Sequence, residues 1–266
     1  MPPRPPRVYL YAEPAAPRLD VDAIAAFIGG LAPALRVEAR PAFAASWRDD
    51  DVRRLATIWA RAKVRNPFAV KGAFQPLAGE IAFEERRLTE LRRATFGLLY
   101  DGFELQEALA DFVPPSERGL SHLHIIFTNQ LLGTFEPDDR RYHARVCVLG
   151  WPSLLSTSGA VDATAKPRAY YLLKQQYAAL GMADAAAHLD AEFAADCLVG
   201  DDARLTEVMK GYVAQAVFYH VFGEAFCDDA DCRLFNAHWQ VEMLRAQLGG
   251  AYEFCPHHRA MLAALR

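Results

Sequence analysis

The feature that most constrains this chain lies near its C-terminus. Cys227 and Cys232 form C-x4-C, and Cys255 opens C-P-H-H, which carries His257 and His258. Two short ligand pairs about twenty residues apart suit a tetrahedral structural zinc, because each turn supplies two ligands and folding closes the turns around the ion. Thiolate and imidazole are the donors zinc favours in a reducing compartment. The bland alternative is three unrelated buried thiols and two surface histidines. A Cys3His site is expected, with one zinc per chain held by Cys227, Cys232, Cys255 and one histidine. C-x2-H has the commonest knuckle spacing, which favours His258 over His257 as fourth ligand. Such a site ties the end of the chain to the core, and its binding energy becomes folding energy.

The redox compartment decides whether that reading holds. No apolar run approaches the ~20 residues a membrane span needs. After M-P-P-R-P-P-R, the stretch V-Y-L-Y-A is too short for the apolar core of a signal peptide. A cytoplasmic protein is expected, with its five cysteines as thiols or metal ligands rather than disulfides. Cys147 and Cys197 stand alone in apolar surroundings and read as buried small hydrophobes. A net charge of −4 gives no electrostatic reason to expect nucleic acid or an anionic membrane as partner. In F-E-E-R-R-L-T-E-L-R-R, Glu84 and Glu90 precede Arg87 and Arg93 by three residues, the pattern of a solvated helix face.

The first third alternates strand and helix, which predicts an α/β layer. V-Y-L-Y-A-E reads as a strand, L-D-V-D-A-I-A-A-F-I-G-G-L as a helix with a glycine exit, and L-R-V-E-A-R-P as a second strand. R-D-D-D-V-R-R-L-A-T-I-W-A-R-A-K begins with acids, as helix N-termini prefer. A helical stretch is expected around 83–99. H-L-H-I-I-F-T-N (122–129) and H-A-R-V-C-V-L-G (143–150) read as central strands joined by a loop with turn signals at Gly133 and Pro137. Beyond Lys166 the chain reads as helical, with segments at 167–181, 183–195 and 204–223, and Gly181 and Gly223 mark two helix ends.

Around Gly223 the residues resemble a family. Archaemetzincins, a branch of the metzincin zinc peptidases, carry H-E-x-x-H-x-x-G-x-x-H-C-x4-C, then a methionine turn, then F-C-x2-C. Here A-V-F-Y-H-V-F-G-E-A-F-C-x4-C is followed by F-C-x2-H, with Gly223, Cys227, Cys232 and Phe254-Cys255 in register. I-I-F-T-N-Q-L is also similar to a strand and turn of that family. The resemblance implies a metzincin-like fold over the whole chain, and its departures bear on the chemistry. The positions of the two helical histidines hold Ala216 and His220, the general base is replaced by Val217, the third ligand by Phe226, and Leu234 stands near the methionine turn. A catalytic zinc needs three protein ligands and an open position for water, and one imidazole cannot supply that. Met209, Val213, Val217 and His220 share one helical stripe while Val208, Tyr212 and Tyr219 share another, so the helix is expected to be buried and His220 to be a hydrogen-bonded core histidine.

Other polar groups offer weaker routes to a site. His143 and His238 are possible partners for His220 from elsewhere in the fold, and Glu224 a replacement base. His122 and His124 alternate on one strand and so share a face. R-R-Y-H-A-R, S-T-S-G (156–159) and the helix opening with Lys166 and Arg168 would suit an anionic group. Each has a commoner structural reading as a turn, a solvated charge or a lone histidine.

The expectation is therefore a single α/β (α+β) metzincin-like domain, 1–266, with a mixed sheet, a long helix ending at Gly223 and a C-terminal zinc clip. Residues 1–110 form its N-terminal α/β part and 111–266 carry the zinc motif. The leading function is a degraded metallopeptidase relative with one structural zinc, binding a peptide or small ligand in the former cleft. The alternatives are an active metal-dependent hydrolase with a rearranged site and a zinc-stabilised interaction protein.

Overall fold

The computed structural model describes all but residues 1–5, 94–96, 183–185 and 266, and leaves out the side chains of 186 and 187. Most of the proline-rich start and parts of the helices expected at 83–99 and 183–195 therefore lie outside the described residues. Strand β1 (Arg7–Tyr11) sets the architecture through its period of two. Val8 and Leu10 enter one hydrophobic core, while Tyr9 and Tyr11 enter another on the opposite face. Helix α1 (Val21–Leu31) begins where Asp20 accepts the Ala23 N–H at 2.9 Å, and it lays Val21, Ile24 and Ile28 on the first core. It runs through Gly29 and Gly30 instead of ending at them. β2 (Arg36–Arg40) then pairs parallel to β1.

Helices α2 (Asp49–Ala62) and α3 (Ala78–Thr89), strand β3 (Leu99–Asp101) and helix α4 (Gly102–Ala110) pack on the second face. Here the structure corrects the expected solvated helix face. Glu84 is fully buried, bound by Arg87 Nε at 2.7 Å, Lys63 Nζ at 2.7 Å and the Tyr100 hydroxyl at 2.9 Å. Charges leave water only when paired and hydrogen-bonded, and this carboxylate has two cations to compensate it. Only the second pair, Glu90 with Arg93, is exposed.

β4 (His122–Thr128) lies parallel to β1 on its other side and repeats the alternation, with Leu123, Ile125 and Phe127 in the first core and Ile126 in the second. The segment expected to be a loop is instead strand β5 (Leu131–Glu136), which forms a hairpin with β6 (Arg141–Arg145). β3 pairs parallel to β5, giving a separate three-stranded sheet. Gly133 belongs to this pairing and is not a turn, because a Cβ there would meet the Leu99 side chain at 3.0 Å. The strand expected over 143–150 divides between two sheets. Its start is in β6, while β7 (Cys147–Val148) runs antiparallel to β8 (Ser153–Ser156) at the edge of the main sheet. The main sheet is ordered β2-β1-β4-β8-β7.

The expected S-T-S-G loop is the end of β8 and the start of helix α5 (Thr157–Asp162). Helices α6 (Arg168–Ala179), α7 (Ala186–Glu192), α8 (Leu205–Phe222), α9 (Gln240–Leu244) and α10 (Pro256–Ala263) follow. α8 crosses the first core and is buried on nearly every side from Val208 to Phe218. Gly223 ends it in the left-handed region (φ +74°), donating its N–H to the Tyr219 carbonyl at 2.9 Å. The mixed α/β architecture agrees with the sequence expectation. Among the described residues no helix is long and apolar enough to cross a membrane.

Candidate metal centre and adjoining cleft

Two short segments converge just beyond α8. The first is a backbone-locked loop. Cys227 N–H donates to the Leu234 carbonyl at 2.8 Å, Cys232 N–H to the Asp229 carbonyl at 3.0 Å, and Asn236 N–H to the Cys227 carbonyl at 3.3 Å. The second is the start of α10, where Pro256 fits the first helical position and Cys255 and His258 occupy successive ends of one turn. The Cys255 N–H points at Cys232 Sγ, 3.5 Å away, and joins the segments.

The donors Cys227 Sγ, Cys232 Sγ, Cys255 Sγ and His258 Nδ1 all lie within 4.8 Å of one another. Cys227 and Cys255 are 3.9 Å apart, sulfur to sulfur, and Cys232 Sγ is 3.7 Å from His258 Nδ1. A tetrahedral zinc with bonds of about 2.3 Å to sulfur and 2.0–2.1 Å to nitrogen needs donor separations of roughly 3.5–3.8 Å. The donor set fits zinc, and the separations, from 3.1 Å between Cys255 Sγ and His258 Nδ1 to no more than 4.8 Å, bracket that requirement. Cys232, Cys255 and His258 are buried, and Cys227 is half-buried. Burial pushes the thiol of Cys227 up to about 12 and raises that of Cys232, so a cation must displace protons to be held. Burial lowers the His258 pKa, which leaves the neutral imidazole a metal accepts.

His258 uses its second nitrogen on Glu224. With Nδ1 turned to the sulfurs, Nε2–H donates to Glu224 Oε1 at 3.1 Å, the outer carboxylate that orients a ligating imidazole. Glu224 reads in the sequence as a possible replacement base, but the structure places it beside the Cys3His cluster. The only local hint is Gly223, which turns the chain back at that point. His257 is exposed and points its own Nε2 at the same carboxylate, 3.1 Å away. His258, not His257, faces the cysteines.

The residues at the positions of the resembled peptidase motif have a different fate. Ala216 and Val217 lie inside the first core, at 0% and 3% exposure, so their helix face meets protein and no solvent. His220 sits in the last turn, half-buried, with Nε2–H donating to the Leu120 carbonyl at 2.8 Å. It is hydrogen-bonded, but it does not belong to the core. Leu234 is fully buried, and Phe226 is exposed.

A cleft of about 880 Å³ opens between α8 and the three-stranded sheet. The helix presents Tyr212, Gln215 and Tyr219 to it, the sheet presents Thr134, His143 and Arg145, and Phe226 and His238 also line it. On a helix of 3.6 residues per turn, 215 and 219 lie about 100° round from 216 and 220, which is why the family's ligand positions miss the cleft. His143 reaches Asp139 at 2.7 Å, and Arg145 Nε donates to Thr134 Oγ1 at 2.8 Å. Among the described residues, the sets of three or more His, Cys, Asp or Glu able to share an ion are the Cys3His cluster and Glu224, His257 and His258. Neither is in the cleft.

The remaining candidates do not converge. His122 and His124 share a face, but His124 is buried with both nitrogens engaged. Its Nε2–H donates to the Glu117 carbonyl at 3.1 Å, and Nδ1 accepts from Tyr11 at 2.9 Å. The Ser156 hydroxyl accepts the Gly159 N–H at 2.7 Å and donates to the Gln130 carbonyl at 2.6 Å, which leaves it no role with an anion. Lys166 turns to Tyr170 and Asp190, and Arg168 is exposed.

The model of a family described as "Probable metallopeptidase family (DUF6775)" matches residues 4–265. Among solved structures, the crystal structure of archaemetzincin from Methanopyrus kandleri is similar at 11% identity, covering 100% of this chain and 97% of that one with a TM-score of 0.45. No curated protein matches the sequence.

Proposed function

The chain belongs to the probable metallopeptidase family, and on that premise we propose that it is a pseudoenzyme of that family. It holds one structural zinc and no catalytic one, and it receives a peptide or small ligand in the cleft beside α8. The observation that carries this reading is the rotation of α8. The positions that bind and activate a catalytic zinc in the resembled motif are Ala216 and Val217, both sealed in the core. The cleft instead offers Gln215, Tyr219, His143 and His238, with no carboxylate among the described residues that line it. A water-activating metal needs three protein ligands and a base poised near neutral pH. One zinc bound by Cys227, Cys232, Cys255 and His258 would leave no open coordination position, which is the mark of a structural site. A reducing cytoplasm would keep its thiols available.

The test is zinc per chain by elemental analysis on protein purified without added metal, together with hydrolysis of a peptide library with and without chelator. One zinc, lost in Cys232→Ser, with no chelator-sensitive hydrolysis, is expected. Two zinc ions with chelator-sensitive cleavage would replace this reading with that of an active hydrolase.

A further inference from the structure

A second cavity lies far from the zinc cluster, at the carboxyl ends of the parallel strands. The chain leaves β1 through Ala12, Glu13 and Pro14 toward α1 on the first core. It leaves β4 through Asn129 and Gln130 toward β5, whose Leu132 belongs to the second. Where neighbouring parallel strands send their chains to opposite faces, a crevice opens beyond the strand ends, the usual ligand site of open α/β sheets. Here Glu13 spans it, accepting the Ala15 N–H at 3.0 Å on one oxygen and the Asn129 N–H at 2.9 Å on the other.

The cavity holds about 60 Å³, the share of two waters. Three buried side-chain nitrogen or oxygen atoms lack a hydrogen-bond partner among the described residues: Trp59 Nε1, Arg87 Nη2 and Gln247 Oε1. The first two belong to residues that line this one cavity, each 6% exposed. The Arg87 guanidinium carbon stands 4.1 Å from the centre of the Trp59 ring, so the two side chains are stacked neighbours. Arg87 Nε is occupied by Glu84, which fixes the guanidinium in place. Buried donors left unpaired are costly, and two in one cavity call for an acceptor with two oxygens.

We propose that this cavity binds a short monocarboxylate of the size of acetate, its oxygens accepting from Arg87 Nη2 and Trp59 Nε1. A charge-assisted hydrogen bond from the guanidinium favours an ionised carboxylate over a neutral amide. The remaining walls, Phe43, Leu88, Leu105 and Ile126 among them, suit its methyl group. Glu13 lines the same cavity with a carboxyl group, which disfavours a dianion such as phosphate more than a singly charged ligand. This site is independent of the cleft beside α8 and stands whether or not the pseudoenzyme reading does.

The test is isothermal titration of the full zinc-loaded chain with acetate, and with acetamide and inorganic phosphate as comparators. Saturable acetate binding is expected, at least tenfold tighter than acetamide or phosphate. It should be weakened at least tenfold in Arg87→Met and in Ala44→Leu, which places a side chain in the cavity from its half-buried rim. Removing Arg87 leaves Glu84 short of a cation and risks the fold, so Ala44→Leu with unchanged melting carries the comparison if Arg87→Met does not fold. No saturable acetate binding by the wild type would mean that water serves the two donors, and the proposal is overturned. Acetamide binding as tight as acetate, or undiminished binding in Ala44→Leu, would overturn it as well.

Discussion

The Cys3His cluster and the motif face of α8 lie a few residues apart in sequence, yet they treat their ligand positions in opposite ways. In the cluster the donors sit on a tight loop and on the first turn of α10, each fixed by its own backbone hydrogen bonds. Their directions follow from local chemistry, so spacing in the sequence translates directly into convergence in space. On α8 the ligand positions lie on a helix packed on nearly all sides, whose rotation is set by tertiary packing and not by its own polarity. A ligand pattern is thus informative where turns hold it and ambiguous where a buried helix does.

The largest expected effect tests the cluster. Cys232→Ser removes one donor from a buried set whose metal affinity is part of the folding energy. We expect a loss of more than about 4 kcal/mol and of the bound zinc, read by thermal denaturation and elemental analysis. Wild-type melting in that variant would remove the basis of the comparison.

The next effect tests the helix. Ala216→His puts an imidazole into a fully buried position in the first core, where overpacking and an unpaired polar group together should cost about 2–4 kcal/mol. It should bring no second zinc. Gln215→His with Tyr219→His places two imidazoles one turn apart on the face that lines the cleft with His143 and His238. That double variant should fold and take up a second zinc per chain. If the Ala216→His protein gained zinc and the double variant did not, the assignment of helix faces would be reversed.

These variants also show what the sequence could and could not reveal. The convergence of three thiols and an imidazole was legible because these groups at knuckle spacing have few other uses, and α8 was legible to its end because Gly223 is a strong stop signal. The face of α8 toward the cleft was not, since Tyr212, Gln215 and Tyr219 carry no periodic contrast with their buried neighbours. β5 was hidden behind Gly133 and Pro137, which read as turn residues. The glycine instead makes room for Leu99 in a neighbouring strand, a contact between residues more than thirty positions apart. Arg87 was misread for a related reason. An i,i+3 ion pair has the same sequence whether it faces water or Trp59, and only the fold places Lys63 and Tyr100 beside Glu84.

A smaller effect sharpens the metal centre itself. Glu224→Gln keeps the shape of the side chain but weakens the acceptor of His258 Nε2–H. Loss of such an outer carboxylate typically lowers metal affinity about 10–100-fold. We expect that range in a competition assay with a chromophoric chelator, at nearly unchanged melting temperature when zinc is saturating. An affinity equal to that of the wild type would show that the imidazole is oriented by its packing against Phe218, 5.3 Å away between ring centres.

The smallest effect concerns a histidine that sequence spacing offers as a ligand and the fold uses otherwise. Burial lowers the pKa of His124, and its two nitrogens are committed to Tyr11 and the Glu117 carbonyl in the neutral form. The unfolded chain binds a proton at this residue near pH 6.5 while the folded chain resists it, so acidification favours unfolding. Stability should therefore fall as pH drops below about 6.5 and level off below the folded-state value, with a slope of at most about 1.4 kcal/mol per pH unit from this one group. Glu117, held down chiefly by its hydrogen bonds from Arg40, acts with the same sign but at lower pH, through the carboxylate range. Urea denaturation of zinc-loaded protein between pH 7 and 5 covers this window, in which His258 and the metal-binding thiols also respond. The difference between wild type and His124→Gln, whose curve should be flatter, gives the share of His124. Parallel curves for the two proteins would mean that His124 titrates normally in the folded state. The imidazole would then be open to water, and the strand face it shares with His122 would again be available as a site.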